Sequence, residues 1–264
     1  MRSYLLLDGI QLGSTDLASH LPTGEQVYRD FGEAAGLVGP ILVESDDALE
    51  AVATRVEQQA PRRFAIARLQ SEAGRDHLAS HLRHVRYFCP NSHEQFFLRY
   101  ADTRVFINLM QILDNAQKQA LFGPLSAWSV NDREGNPTHH VQPGVASLSA
   151  PLLLSNSQHL ELLRLSRPDQ LLADVIADDP ELVLIGTEAE RHGWARQALE
   201  FVETHRARSF PYRLAVGAAA VRTRGLALRD PGFAETLRAA VGHPDGAERL
   251  HAWNPLKSQG GERE

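Results

Sequence analysis

Short apolar runs alternate with amphipathic segments along the first half of the chain. The apolar runs are bounded by turn residues and predict strands at residues 4–7, 37–43 and 64–69. Between the second and third runs, apolar side chains recur at i, i+3, i+4 and i+7, the spacing of one helix face. These side chains are Leu49, Val52, Ala53 and Val56. Ser45 and Asp46 stand where they can cap this helix, so the pattern predicts strand, helix and strand in succession.

Apolar runs typical of strands and apolar positions at helical spacing both continue to residue 130. A predicted hairpin spans residues 85–100, and Phe96, Leu98 and Tyr100 are expected on one face because side chains alternate along a strand. Asp102 is placed to cap the helix that follows. Strands and helices are therefore mixed without strict alternation, which is typical of an α+β lobe.

Three capping patterns predict further helix starts. They are Asp114 with Gln117, Thr187 with Glu190, and Asp230 before Pro231. After residue 157 the apolar positions follow the helical period throughout. The predicted fold class is α+β, with a mixed sheet-and-helix lobe followed by an all-helical lobe. The predicted segments are the α+β lobe at 1–130, a connector at 131–156, the helical lobe at 157–256 and a flexible tail at 257–264.

Composition and charge exclude several classes of partner. The 264 residues are 43% hydrophobic and 23% charged, which is ordinary for a globular protein. The net charge is −6, and Arg and Lys are scattered among acidic residues, unlike the basic patch of a nucleic-acid binder. No apolar stretch reaches the roughly 20 residues that cross a membrane, and the N-terminal run is shorter than a signal-peptide core. We expect a cytoplasmic protein that binds neither nucleic acid nor membrane.

Motifs that would specify a reaction are missing from the sequence. It contains no phosphate-binding loop, no dinucleotide fingerprint, no nucleophile elbow and no H-E-x-x-H zinc motif. Cys89, the single cysteine, stands in an apolar strand, where a thiol is expected to be buried and inert. We expect a protein that is not an enzyme and has no catalytic residues, cofactor or metal.

One histidine cluster leaves an alternative open. His77, His81 and His84 lie at i, i+4 and i+7, so within one helix they share a face. Neutral imidazoles in this arrangement can bind zinc, which would suit a metal-dependent enzyme. Each histidine also directly precedes an apolar residue of the buried stripe, and amphipathic side chains suit such border positions. If the histidines lie at the border of the buried stripe for this reason, they require no metal.

Five segments of the first half follow one another in a recognisable order. They read Tyr-Leu-Leu-Leu-Asp-Gly at residues 4–9, Val-Gly-Pro-Ile-Leu-Val-Glu at 38–44, His-Leu-Arg at 81–83, Phe-Leu-Arg-Tyr-Ala-Asp-Thr-Arg-Val at 97–105 and Leu-Phe-Gly-Pro-Leu at 121–125. This series resembles the domain of unknown function 4123 family, which are adaptor chaperones of bacterial type VI secretion. The family usually has a proline where this chain has Thr103, so the first turn of that helix lacks a pre-set φ angle.

The resemblance implies a non-catalytic adaptor with two protein partners. One is a type VI secretion effector, and the other is the trimeric spike protein onto which the effector is loaded. We expect the effector to be bound through its N-terminal region, in a cleft between the two lobes. Tryptophan is enriched at binding hot spots, so exposed tryptophans are candidate anchors, although each can equally belong to the core. The candidate partner-binding residues are Tyr100, Asp102, Arg104, Trp128 and Trp194. Asp102 and Arg104 also have a structural interpretation, in which they cap a helix and tie it to the sheet. A further alternative is an immunity protein that blocks a toxin.

Overall fold

The computed structural model describes residues 1–13, 24–58, 64–91, 94–144, 152–243, 245–251 and 253. The chain divides into two compact units, Met1–Arg164 and Leu165–Glu264. An antiparallel sheet with helices occupies the first unit and helices make up the second, so the α+β prediction is confirmed. The tail predicted at 257–264, and residues 145–151 of the predicted connector, lie outside the described residues.

The strands among the described residues all precede the second unit. They are β1 (Arg2–Asp8), β2 (Glu25–Gln26), β3 (Pro40–Glu44), β4 (Ile66–Ser71), β5 (Tyr87–Asn91), β6 (Glu94–Phe97), β7 (Leu125–Asn131), β8 (Pro137–Val141) and β9 (Leu152–Leu153). Six form an antiparallel sheet in the order β2-β3-β1-β4-β7-β8, and three form a smaller sheet in the order β6-β5-β9. Residues 137–141 of the predicted connector therefore belong to the large sheet as β8.

Among the described residues, helices lie between the strands of the first unit and make up the second unit. They are α1 (Gly9–Leu12), α2 (Glu33–Val38), α3 (Asp47–Glu57), α4 (Arg75–His84), α5 (Thr103–Ile112), α6 (Asn115–Phe122), α7 (Asn156–Asp178), α8 (Glu188–Thr204), α9 (Phe210–Arg222), α10 (Pro231–Ala240) and α11 (Gly246–His251). Short 3₁₀ helices lie at Arg29–Phe31, Pro180–Leu184 and Ala227–Arg229. None of the helices in the described part of the chain is long and apolar enough to cross a membrane.

Strand β1 is apolar on both faces because the large sheet is covered on both sides. Tyr4 and Leu6 belong to a core that includes Trp128, whereas Leu5 and Leu7 belong to a second core that includes residues of α3. The two cores explain why the first apolar run of the chain is continuous instead of alternating.

The predicted strand at residues 37–43 is only partly correct. Residues up to Val38 belong to α2, and the helix ends at Gly39, whose backbone N–H donates to the Ala35 carbonyl. Pro40 then starts β3, a position where its missing N–H costs the sheet little. The Gly-Pro pair therefore separates a helix from a strand inside one apolar run.

The predicted common face of Phe96, Leu98 and Tyr100 is wrong. Strand β6 does pair with β5, with Phe96 opposite Phe88, but it ends at Phe97. Phe96 is exposed, whereas Leu98 and Tyr100 are buried after the strand has ended. The Tyr100 hydroxyl donates to the Leu82 carbonyl at 2.8 Å, which fixes the chain in its new direction.

Helix starts agree with the capping patterns of the sequence. Asp46 accepts a hydrogen bond from the Leu49 backbone N–H at the start of α3. The capping boxes predicted at Asp114 and Thr187 both form. Asp102 and Asp230 each accept backbone N–H groups at the start of their helices, α5 and α10. Side-chain oxygens thus satisfy donors that have no partner inside the helix.

Candidate functional site

An apolar groove of about 430 Å³ opens on the first unit. Three separate stretches of chain line it: the end of β1 with α1, residues 28–40, and the end of β6 with the segment that follows it. Its apolar lining includes Ile10, Phe31, Val38, Pro40, Phe97 and Ala101. This volume falls within the range of roughly 300–1,000 Å³ that is usual for ligand sites.

Large apolar side chains at the groove remain in contact with solvent. The exposed fractions are 58% for Ile10, 46% for Phe31, 51% for Val38 and 50% for Phe97. Single exposed apolar residues are normal on a protein surface, but several that line one concavity indicate a binding surface. The groove is therefore open, and its walls offer apolar area that a partner can cover.

Aromatic rings form one wall of the groove. The Phe97 ring centroid lies 5.6 Å from that of Tyr28, 5.5 Å from that of Phe31 and 4.8 Å from that of Tyr87. The Arg86 guanidinium lies 4.3 Å from the centre of the Phe31 ring and forms a 2.7 Å ion pair with Asp30. Edge-to-face and cation–π contacts of this kind hold rings in fixed orientations, so the wall is arranged before a ligand arrives.

Tyr28 lies at the inner side of this wall and stays neutral. Burial raises its pKa to about 12, and its hydroxyl lies 3.5 Å from the Leu98 carbonyl oxygen. Tyr100, below it, is fully buried, and burial raises the pKa of Tyr100 well above its ordinary value. Neither phenol carries charge near neutral pH, as is usual for tyrosine, and the raised pKa values extend the neutral range to higher pH.

A chain of four charged residues begins at the groove, where Asp8 and Arg99 line it. Asp8 caps α1 and accepts a 3.0 Å hydrogen bond from Arg99, and Arg99 lies 3.9 Å from Asp102. Asp102 caps α5 and receives two hydrogen bonds from the Arg104 guanidinium, at 2.9 and 2.8 Å. Both aspartates are buried, and burial makes such pairing necessary for a carboxylate. The chain ties the end of β1 to the start of α5.

The predicted partner-binding residues lie in different places. Asp102 and Arg104 take the structural role described above, and Arg104 also lies 5.4 Å from the Phe64 ring. Tyr100 is fully buried in the core. Trp128 is fully buried too, stacked on Phe106 at 4.4 Å, so the expectation that it is an exposed anchor is wrong.

Trp194 belongs to the second unit. It is partly buried against the core of that unit, and its ring packs beside Gly186 and Gly225. Both glycines have positive φ, and a side chain at either would meet the indole ring. Trp194 therefore contributes packing, with part of its surface accessible.

Four groove residues, Ile10, Phe31, Val38 and Phe97, are not among the binding residues predicted from the sequence. Their local patterns resemble those of core residues, and only the fold shows that they stay exposed. One signal was available: Phe96 and Phe97 are adjacent in a short strand, so they point to opposite faces and both need cover.

The three histidines of α4 do not act as one group. His77 and His84 are exposed, whereas the His81 Nε2 atom lies 2.9 Å from the Leu121 carbonyl oxygen. Burial lowers the pKa of His81, which favours the neutral form of its imidazole. Across the described ranges, no group of three or more His, Cys, Asp or Glu side chains is close enough to hold a metal ion. Cys89 is buried and forms no disulfide.

Comparison with protein families gives one match for this chain. Residues 3–120 match the family described as Domain of unknown function (DUF4123). The groove lining and all four members of the charged chain fall inside the matched segment. No curated protein and no solved structure matched the chain.

Proposed function

We propose, from the premise that residues 3–120 form a DUF4123 domain, that this protein is a non-catalytic adaptor chaperone of a bacterial type VI secretion system. It binds an effector in the cytoplasm, through the effector's N-terminal region, and delivers it to the trimeric spike protein. The secretion setting rests on the resemblance of the five sequence segments. The binding role rests on the groove.

The observation that carries the proposal is the exposed apolar lining of the groove. Fully burying a large apolar side chain contributes about 1.5–3 kcal/mol, so each half-exposed lining residue has about 1 kcal/mol left to gain. Four such residues offer enough apolar area to hold one segment of a partner. A chaperone needs such a surface, because it shields apolar segments of its client until delivery.

Co-purification tests this role directly. The tagged protein is co-expressed with the effector and the spike protein encoded beside it, and the complex is washed with salt before elution. Recovery of both partners at stoichiometric ratio is the expected result. Recovery of neither, while both are folded and soluble, would refute the adaptor role for this pair.

Two valine substitutions test whether the groove is the binding surface. Val38→Asp places a charge in the groove, and Val141→Asp places the same charge at an exposed valine of β8, outside the groove lining. We expect Val38→Asp to reduce effector recovery several-fold and Val141→Asp to leave it unchanged. Equal recovery from the two variants would remove the groove from the proposal.

Separate effector fragments distinguish an adaptor from an immunity protein. An adaptor binds the N-terminal region of the effector, whereas an immunity protein binds the toxin domain. Binding that is confined to the toxin domain would therefore contradict the proposal.

A further inference from the structure

We infer that the groove binds an apolar segment of the effector that carries a carboxylate beside its apolar side chains, and that Arg99 holds this carboxylate. The inference rests on the proposed function for the source of the segment. Its chemical content, an apolar ligand with one acidic group, comes from the groove itself.

Among the described residues that line the groove, two are charged, Asp8 and Arg99. The Asp8 carboxylate already has a full set of partners. It accepts the backbone N–H groups of Ile10 and Gln11, the Gln11 side-chain amide and the Arg99 guanidinium, at 3.0–3.3 Å. A carboxylate has about four acceptor sites, so Asp8 has none left for a ligand.

Arg99 is in the opposite situation. Its side chain is 47% exposed, and one terminal nitrogen makes the hydrogen bond to Asp8. A guanidinium has five N–H donors in a fixed fork, and within the described residues the others have no hydrogen-bond acceptor. The groove therefore presents a surplus of donors at one point of an otherwise apolar surface.

The contact with Asp8 also prepares Arg99 for binding. A buried carboxylate that is held by backbone N–H groups fixes one end of the guanidinium, so less rotamer freedom is lost when a ligand arrives. The best complement for a fixed fork of donors is a carboxylate, which can accept two parallel hydrogen bonds. The two arginines and two aspartates of the charged chain balance, so the attraction is local and its expected size is modest.

The openness of the groove favours a protein segment over a fatty acid. Both could supply an apolar chain and a carboxylate, but a fatty acid gains most from a cavity that encloses it. Here the lining side chains Phe31, Val38 and Phe97 are about half exposed on the folded surface. An open groove of this kind suits side chains that project from the backbone of a second protein.

A double-mutant cycle with peptides tests the inference. Overlapping synthetic peptides from the N-terminal region of the effector are titrated against the full-length protein, with fluorescence polarisation as the readout. The binding peptide is then made again with each acidic residue replaced by its amide. Both forms are measured on the wild type, on Arg99→Gln and on Arg55→Gln, which changes an exposed arginine of α3 outside the groove lining.

We expect the acidic peptide to bind Arg99→Gln about tenfold more weakly than the wild type, and Arg55→Gln with unchanged affinity. The amide peptide should bind the wild type and Arg99→Gln equally, because it lacks the carboxylate that Arg99 holds. Arg99→Lys, which keeps the charge but loses the fork, should give an intermediate affinity. Thermal melting and spike recovery show whether each variant is folded.

Three results would overturn the inference. The first is an equal effect of the amide replacement on the wild type and on Arg99→Gln. The second is displacement of the peptide by dodecanoate in a manner that depends on Arg99, since the ligand would then be a lipid. The third is normal effector recovery by both Arg99→Gln and Val38→Asp, which leaves the adaptor role intact. If the wild type recovers neither effector nor spike, the proposed function itself fails.

Discussion

Replacing Gly123 with alanine is expected to be among the most damaging small changes in the first unit. Gly123 ends α6 with φ 53° and ψ −115°, a conformation that residues with a Cβ rarely adopt. The His81 ring packs directly on this glycine, and an added Cβ would overlap the imidazole. The ring cannot turn away without losing the hydrogen bond of its Nε2 atom to the Leu121 carbonyl.

The expected cost has two parts. A non-glycine residue held in a sparsely populated conformation at positive φ costs about 1–3 kcal/mol. Displacing His81 removes a hydrogen bond that contributes about 0.5–1.5 kcal/mol and leaves a carbonyl with fewer partners. We therefore expect Gly123→Ala to lower the free energy of unfolding by about 3 kcal/mol, near the upper end of single substitutions.

Gly13 offers a matched control for the backbone part. It ends α1 with φ 55° and ψ −143°, and an added Cβ at this position meets no atom of the described residues within 4 Å. Gly13→Ala should therefore cost only the backbone term. We expect Gly123→Ala to be more destabilising than Gly13→Ala by about 1 kcal/mol.

Urea unfolding followed by Trp128 fluorescence measures the difference. Replacing Trp194 and Trp253 with phenylalanine leaves Trp128, which is buried in the first unit, as the only indole reporter. The two compact units can unfold separately, so a reporter confined to one unit keeps the transition simple. His81→Ala in the Gly123→Ala background should recover part of the loss, because it removes the overlap. Equal costs for the two glycine variants, with no recovery, would refute the packing argument.

Three further outcomes follow from the buried groups of the first unit. Asp102→Ala removes the cap of α5 and the main partner of Arg104, and should cost about 2–3 kcal/mol in urea unfolding, whereas Asp102→Asn keeps an acceptor and should cost less. Burial lowers the pKa of His81 in the folded protein, so the unfolded chain binds more protons below about pH 6.5. The free energy of unfolding should therefore fall as the pH drops through this value, and His81→Gln should make that fall shallower; parallel curves would contradict it. Because the pKa of Tyr28 is about 12, Tyr28→Phe should leave the tyrosinate absorbance below about pH 11 unchanged. A smaller absorbance change near pH 10 in the variant would contradict the burial of this phenol.

Local chemistry explains which parts of the fold could be predicted from the sequence. A helix cap requires only the capping side chain and the next three residues, so Asp102, Asp114, Thr187 and Asp230 could be identified without a structure. The end of β6 depends on distant partners, because Tyr100 is held by a carbonyl of α4. Alternation along the sequence therefore predicted a longer strand than the one that forms.

The groove could not be predicted, because exposure is decided by the fold. Trp128 and Phe97 both stand in apolar strand patterns, yet Trp128 is covered by the helices on the sheet while Phe97 lies at an edge. The lining comes from three stretches that lie between residues 8 and 101, and hydrophobicity along the chain contains no information on which stretches meet. The resemblance to a family covers the half of the chain that contains the groove, but it does not locate the groove.

The motif residues can serve the scaffold and the ligand at the same time. Arg99 ties Asp8 to the corner of α5 and also presents donors to the groove, so a loss of binding in Arg99 variants alone would not separate folding from recognition. Val38 can separate them, because it lines the groove and half of its surface is exposed. If the Val38→Asp variant stays folded and still binds the spike but loses the effector, the groove recognises the effector. The fold and spike binding then do not depend on Val38.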